Sequence, residues 1–109
     1  MAARYLSKNG FKVLSRNFRC KGGEIDIIAT RAGELHFVEV KLRGNSRFGL
    51  AAESVLPWKQ KRLTRAAKFY LMRNKKWGAS PHCFSVVAIE GDSHVELFVN
   101  AFEPQGELY

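Results

Sequence analysis

An α/β domain built on a mixed central sheet flanked by helices is predicted from three observations. Residues 24 to 30 and 34 to 41 are rich in Ile, Val and Phe and are separated only by Arg31-Ala32-Gly33, which reads as a hairpin. Residues 57 to 77 instead repeat their apolar side chains at helical spacing, through Leu63, Ala66, Ala67, Tyr70 and Leu71. The elements then follow the order helix, strand, hairpin, helix, two strands, which a layered mixed sheet accommodates. At 109 residues, without repeats, low-complexity tracts or linkers, positions 1–109 form one domain with a modest core.

Taken in order, residues 2 to 9 are predicted helical, with Tyr5 and Leu6 packing and Gly10 as the stop. Phe11 to Asn17 suits a short strand, and Gly22-Gly23 turns the chain into the hairpin. With Ala32-Gly33 as a two-residue loop, Arg31 faces Glu34 and paired positions sum to 65; Gly suits the second loop position better than Ala suits the first. Ser46 to Ala52 reads as a Gly-containing loop. Cys83 to Glu90 reads as a buried strand, and Gly91-Asp92-Ser93 as a turn into a partly exposed strand from His94 to Asn100. Glu103 to Tyr109 is expected to trail along the surface.

Three charges interrupt the apolar hairpin: Asp26, Glu39 and Lys41. A charge in a strand core costs several kcal/mol unless it is paired or binds a metal. The register that sums to 65 sets Asp26 opposite Glu39, with β-carbons about 5 Å apart, close enough for two carboxylates to share one cation. Side-chain alternation puts Glu39 and Lys41 on one face and turns Val38 and Val40 to the other. Mg²⁺ or Mn²⁺ takes oxygen ligands, so Asp26 and Glu39 would hold the ion, with a backbone carbonyl near Val40 as a third ligand. Lys41 would orient or help deprotonate an attacking water. An ion pair of Lys41 with Glu39 or Asp26 is the structural alternative.

The charge balance fits a polyanionic partner. Eighteen Lys and Arg against ten Asp and Glu give +8, unevenly placed. Between Pro57 and Trp77 stand Lys59, Lys61, Arg62, Arg65, Lys68, Arg73, Lys75 and Lys76 with no acid, an outer face suited to phosphates. Arg43 and Arg47 flank the loop after the acidic strand and are placed to hold phosphates near the metal. Cys20 and Cys83 have no metal-ligand spacing, and His36, His82 and His94 are scattered, so a zinc site would need chance proximity. Neither a phosphate-binding Gly loop nor a nucleophile elbow is present. With no signal peptide and no apolar run of membrane length, a cytoplasmic protein with free thiols is expected.

An acid followed on the next strand by Glu-x-Lys is the signature of the PD-(D/E)XK nucleases. More closely, Gly-Glu-Ile-Asp-Ile-Ile-Ala at 23 to 29, Phe-Val-Glu-Val-Lys at 37 to 41, Arg-Phe-Gly at 47 to 49 and Asn-Ala-Phe at 100 to 102 resemble the YraN family. The likeness extends through Tyr5-Leu6 and Arg16-Asn17-Phe18-Arg19 over nearly the whole chain. It implies a restriction endonuclease-like core and a relation to Holliday junction resolvases. By that resemblance Gln60, on the helix after the Glu-x-Lys strand, contacts the site or substrate; by itself a Gln near a helix start is ordinary surface chemistry. Glu53 either faces the site or favours a helix start. The pattern also carries a first-helix Glu whose position falls before Met1. The expectation is a metal-dependent endonuclease acting on branched DNA, with a homodimer natural for symmetric cutting. A non-catalytic DNA- or RNA-binding module with the same fold is the alternative, and a protein-interaction scaffold a third.

Overall fold

A computed structural model describes residues 1–43, 55–91 and 94–104. Arg47 and Glu53 lie outside the described residues, as does the side chain of Arg43. Helix α1 spans Ala2–Lys8, followed by strands β1 (Lys12–Cys20), β2 (Gly23–Arg31) and β3 (Glu34–Arg43). Helix α2 (Pro57–Arg73) and a short 3₁₀ turn (Lys75–Trp77) lead into β4 (His82–Glu90) and β5 (His94–Phe102).

The five strands lie in the order of the sequence, β1-β2-β3-β4-β5. All neighbours are antiparallel except β3 and β4, which run parallel because α2 carries the chain back across the sheet between them. The result is a mixed sheet with helices on its faces, as the α/β reading expects.

Each face has its own apolar layer. Leu63, Ala66, Ala67, Tyr70 and Leu71 of α2 pack on Ile25, Ile28, Leu35, Phe37, Phe84 and Val86. Across the sheet, Ala2 and Leu6 of α1 cover Ile27, Ala29, Val38, Val87 and Ile89. Fully burying a Leu, Val or Phe side chain contributes about 1.5–3 kcal/mol, so the two layers clamp β3 and β4 from both sides. All five apolar positions expected of the 57–77 helix are buried, together with Thr64.

The hairpin register is the one that sums to 65: Arg31 pairs with Glu34, and the ladder runs on to Ile27 with Val38. Ala32 and Gly33 both adopt positive φ, 51° and 79°, as a two-residue primed turn requires. β1 extends three residues beyond the expected Asn17. A register shift between Val13 and Ser15 and a positive φ of 53° at Asn17 let it follow β2 as far as Cys20. Gly23 lies directly under α2, where an added Cβ would collide with the Arg62 carbonyl and meet the Ala66 nitrogen at 3.0 Å.

Candidate functional site

The β2–β3 ladder ends at Ile27–Val38, one pair short of Asp26 and Glu39. Beyond that point β3 stays paired to β4, with Glu39 beside Val86 and Val40 beside Val87. The Asp26 carboxylate takes over where the ladder stops: its Oδ2 accepts the Val40 N–H at 2.8 Å. A side chain doing the work of a backbone acceptor is fixed in place, and one of its two oxygens is committed. Val40 thus meets Asp26 through its amide.

Glu39 is 3% exposed and lies within hydrogen-bonding reach of Asp26. Burial pushes its carboxyl up to about 7, the neighbouring Asp26 pushes the same way, and Lys59 opposes them. Lys59 reaches from the first turn of α2 to form an ion pair with Glu39 Oε2. Lys59 is the cationic partner of that buried oxygen. The pair is asymmetric: Lys59 is 37% exposed at its side chain, and its ammonium is held above its usual range chiefly by Glu39. For the buried partner desolvation dominates, and for the wetter one the hydrogen bond to the carboxylate does.

The other anticipated residues take varied places. Lys41 lies two residues beyond Glu39 on β3, half-buried, and its side chain has no hydrogen bond or ion pair to another described residue. Gln60 is engaged locally: its Nε2 donates to the Val55 carbonyl at 2.7 Å, and its own carbonyl accepts the Thr64 hydroxyl at 2.8 Å, fastening the chain that leads into α2. Lys61, Arg62, Arg65 and Lys68 are exposed along α2, and Lys59 is turned inward. Arg65 lies against Gly22, and Arg73 stacks over Phe69 at 5.0 Å. On the α1 side an open cleft of about 430 Å³ is lined by Ala2, Arg16, Asn17, Asp26, Val40 and Leu42 among others, so Asp26 stands between this cleft and Glu39.

Residues 1–89 match the model of a family described as Uncharacterised protein family UPF0102. The chain belongs to the UPF0102 family. A UPF0102 protein from Lachnoclostridium phytofermentans is 44% identical over 105 residues, covering 96% of this chain and 88% of its own length. One from Pseudomonas putida is 42% identical over 106 residues, covering 94% and 86%. A third, from Herminiimonas arsenicoxydans, is 47% identical over 103 residues, covering 94% and 80%.

Two features of this UPF0102 chain escape sequence reasoning. Lys59 looks like one more cation of a basic helix, and only the docking of α2 over β3 shows it facing Glu39. His36 and Cys83 look scattered, yet the parallel pairing of β3 with β4 makes them partners in register. No local signal announces either contact. Among the described residues, no helix is long and apolar enough to cross a membrane.

Proposed function

We propose that this UPF0102 protein is a metal-dependent, endonuclease-like protein with a restriction endonuclease-like PD-(D/E)XK core, hydrolysing phosphodiesters in branched DNA. The observation that carries the reading is the meeting of two carboxylates, Asp26 and Glu39, at the point where β2 and β3 part. Structural ion pairs seldom bring two acids together at one cation, since like charges raise each other's pKa.

The donor set fits Mg²⁺ or Mn²⁺. Asp26 commits only Oδ2 to the backbone, and the buried Oε2 of Glu39 already holds a cationic group, the Lys59 ammonium. Hard divalent cations take such oxygens. Asp26 and Glu39 would hold the ion, which when bound lowers the pKa of a water and polarises the phosphate. Lys59 offsets the charge of Glu39 in the free protein, and with a cation bound it would be available to a substrate phosphate. Lys41, on the strand of Glu39, orients the attacking water and offsets charge on the pentavalent phosphorus. Arg43 and Arg47, with Lys61, Arg62, Arg65 and Lys68 on α2, bind the DNA backbone electrostatically. A homodimer would suit paired cuts in two strands.

The test incubates labelled four-way junction, flap and linear duplex DNA with Mn²⁺, Mg²⁺ or EDTA. Metal-dependent cutting is expected in the parent and lost in Asp26→Ala, with DNA binding retained. Cutting that persists in the variant would falsify the site assignment.

A non-catalytic DNA- or RNA-binding module is favoured instead by one observation: Lys59 already neutralises Glu39 without any added cation. Melting experiments separate the two. A Mg²⁺- or Mn²⁺-induced rise in Tm that depends on Asp26 supports the metal site, and its absence supports the module.

A further inference from the structure

At the start of β3, on the sheet face that carries α1, a second cluster of chemistry-bearing side chains lies apart from Asp26 and Glu39. His36 and Ser85 are each 1% exposed and Cys83 is 8% exposed. The three donor atoms form a compact triangle. His36 Nδ1 lies 3.0 Å from Ser85 Oγ and 3.3 Å from Cys83 Sγ, and Sγ lies 3.6 Å from Oγ. On the far side of the ring, His36 Nε2 faces Glu34 Oε1 at 3.1 Å. The edge of the ring is steadied by Phe11, centroid to centroid 4.9 Å.

We propose that Cys83, His36 and Ser85 form a binding site for a thiophilic divalent cation, Zn²⁺ by chemical class, with Glu34 as its positioning residue. Around a tetrahedral zinc with Zn–N about 2.05 Å and Zn–S about 2.3 Å, a nitrogen and a sulfur ligand stand about 3.6 Å apart. The observed 3.3 Å differs from that by a few tenths of an ångström, and both ligand residues sit on neighbouring strands of a rigid sheet. Ser85 Oγ supplies a third, weaker donor, and water the fourth.

The tautomer also favours the reading. A carboxylate at Nε2 keeps the proton there and turns the Nδ1 lone pair toward the thiol, as carboxylates do behind metal-bound histidines. Glu34 is itself 39% exposed at its side chain, so its placement is not forced by burial. An ion has a route in: Cys83 lines a cleft of about 270 Å³ together with His82, Phe84, Asn100 and Phe102. The competing account is a closed set of hydrogen bonds among buried polar groups, which satisfies the same atoms with no ion.

Titration of the metal-free full chain with Co²⁺, followed by absorption, decides between them. One equivalent is expected to give a near-ultraviolet sulfur-to-cobalt charge-transfer band with visible d–d bands, bleached by Zn²⁺. The bands should vanish in Cys83→Ser, and survive in Cys20→Ser and in Asp26→Ala. Glu34→Gln should bind about 10–100-fold more weakly, the usual cost of removing a partner behind a metal-bound histidine. No band at stoichiometric Co²⁺, or a band that depends on Cys20 rather than Cys83, overturns the proposal. Unchanged affinity in Glu34→Gln overturns the positioning role. Because the Asp26 site takes hard cations on oxygen, failure of either site leaves the other standing.

Discussion

Glu39 is an acid kept where water barely reaches, and its ionisation sets the behaviour of the residues around it. Burial raises its carboxyl from 4.5 to about 7. An upward shift in the folded state means that the group's stabilising contribution is fully present below 4.5 and is lost as pH rises through about 7. A displacement of this size corresponds to about 3 kcal/mol. Urea unfolding of the metal-free protein should therefore show Glu39→Gln gaining on the parent between about pH 5 and about pH 8, by on the order of 2–3 kcal/mol. Equal slopes of stability against pH for the two proteins would show that Glu39 titrates normally. Lys59 is the complementary case. Removing one partner of a fully buried pair costs about 3–5 kcal/mol, and the exposure of Lys59 reduces that figure. Lys59→Met is expected to lose about 2 kcal/mol at about pH 8 and much less at about pH 5, where Glu39 is protonated with or without its partner. If nucleic acid alone is affected and stability is unchanged, Lys59 serves as a phosphate contact and not as the counter-charge of Glu39.

At the scale of elements, the hairpin and α2 are legible in the sequence because their signals are local. The turn residues Ala32-Gly33 fix a register that sums to 65, and the alternation of apolar side chains does the rest. The buried stripe of α2 follows from its 3.6-residue period in the same way. What cannot be read locally is which strand lies next to which. The parallel pairing of β3 with β4 joins residues nearly fifty positions apart, and it alone brings His36 beside Cys83. Likewise the ladder's end at Ile27–Val38 depends on how far β3 follows β4, and that departure frees Asp26 to accept the Val40 amide. The turn itself carries a correctable defect. Ala32 holds φ 51°, a conformation costing an L-residue with a Cβ about 1–2 kcal/mol, whereas Asn or Gly tolerates it. Ala32→Gly should raise the urea midpoint by an amount corresponding to about 1 kcal/mol at unchanged m-value. Gly23 is the opposite case, because α2 backbone occupies the space of any side chain there. Gly23→Ala should cost about 1–3 kcal/mol by lifting α2 from the sheet. A neutral Gly23→Ala would show that α2 can shift away from β2 without loss of packing.

Across the whole molecule, charge is segregated in a way that bears on its partner. The net +8 is drawn largely from α2 and its 3₁₀ extension, whose cations are exposed apart from Lys59, and no acid lies between Pro57 and Trp77. The inner edge of the same helix faces the paired carboxylates through Lys59, so one element links the basic surface to the acidic site. A polyanion lying along α2 would bring its phosphates toward Asp26 and Glu39, whose own negative charge would repel it if left uncompensated. Neutralisation of the acids, by Lys59 or by a bound cation, is thus a condition for close approach. Binding to duplex DNA should weaken linearly as log salt rises, with a slope of about −0.9 for each phosphate contacted. Replacing Lys61, Arg62, Arg65 and Lys68 together by Gln is expected to flatten that slope by about 3–4, while leaving the fold intact because all four are exposed. An unaltered slope would place the nucleic-acid surface elsewhere, and a protein bound through salt-independent contacts would show no slope at all. Replacing only Asp26 should leave the slope close to that of the parent, since it removes an acid from the site and no cation from the surface. The pair of results separates the surface that holds the polyanion from the acidic site beside it.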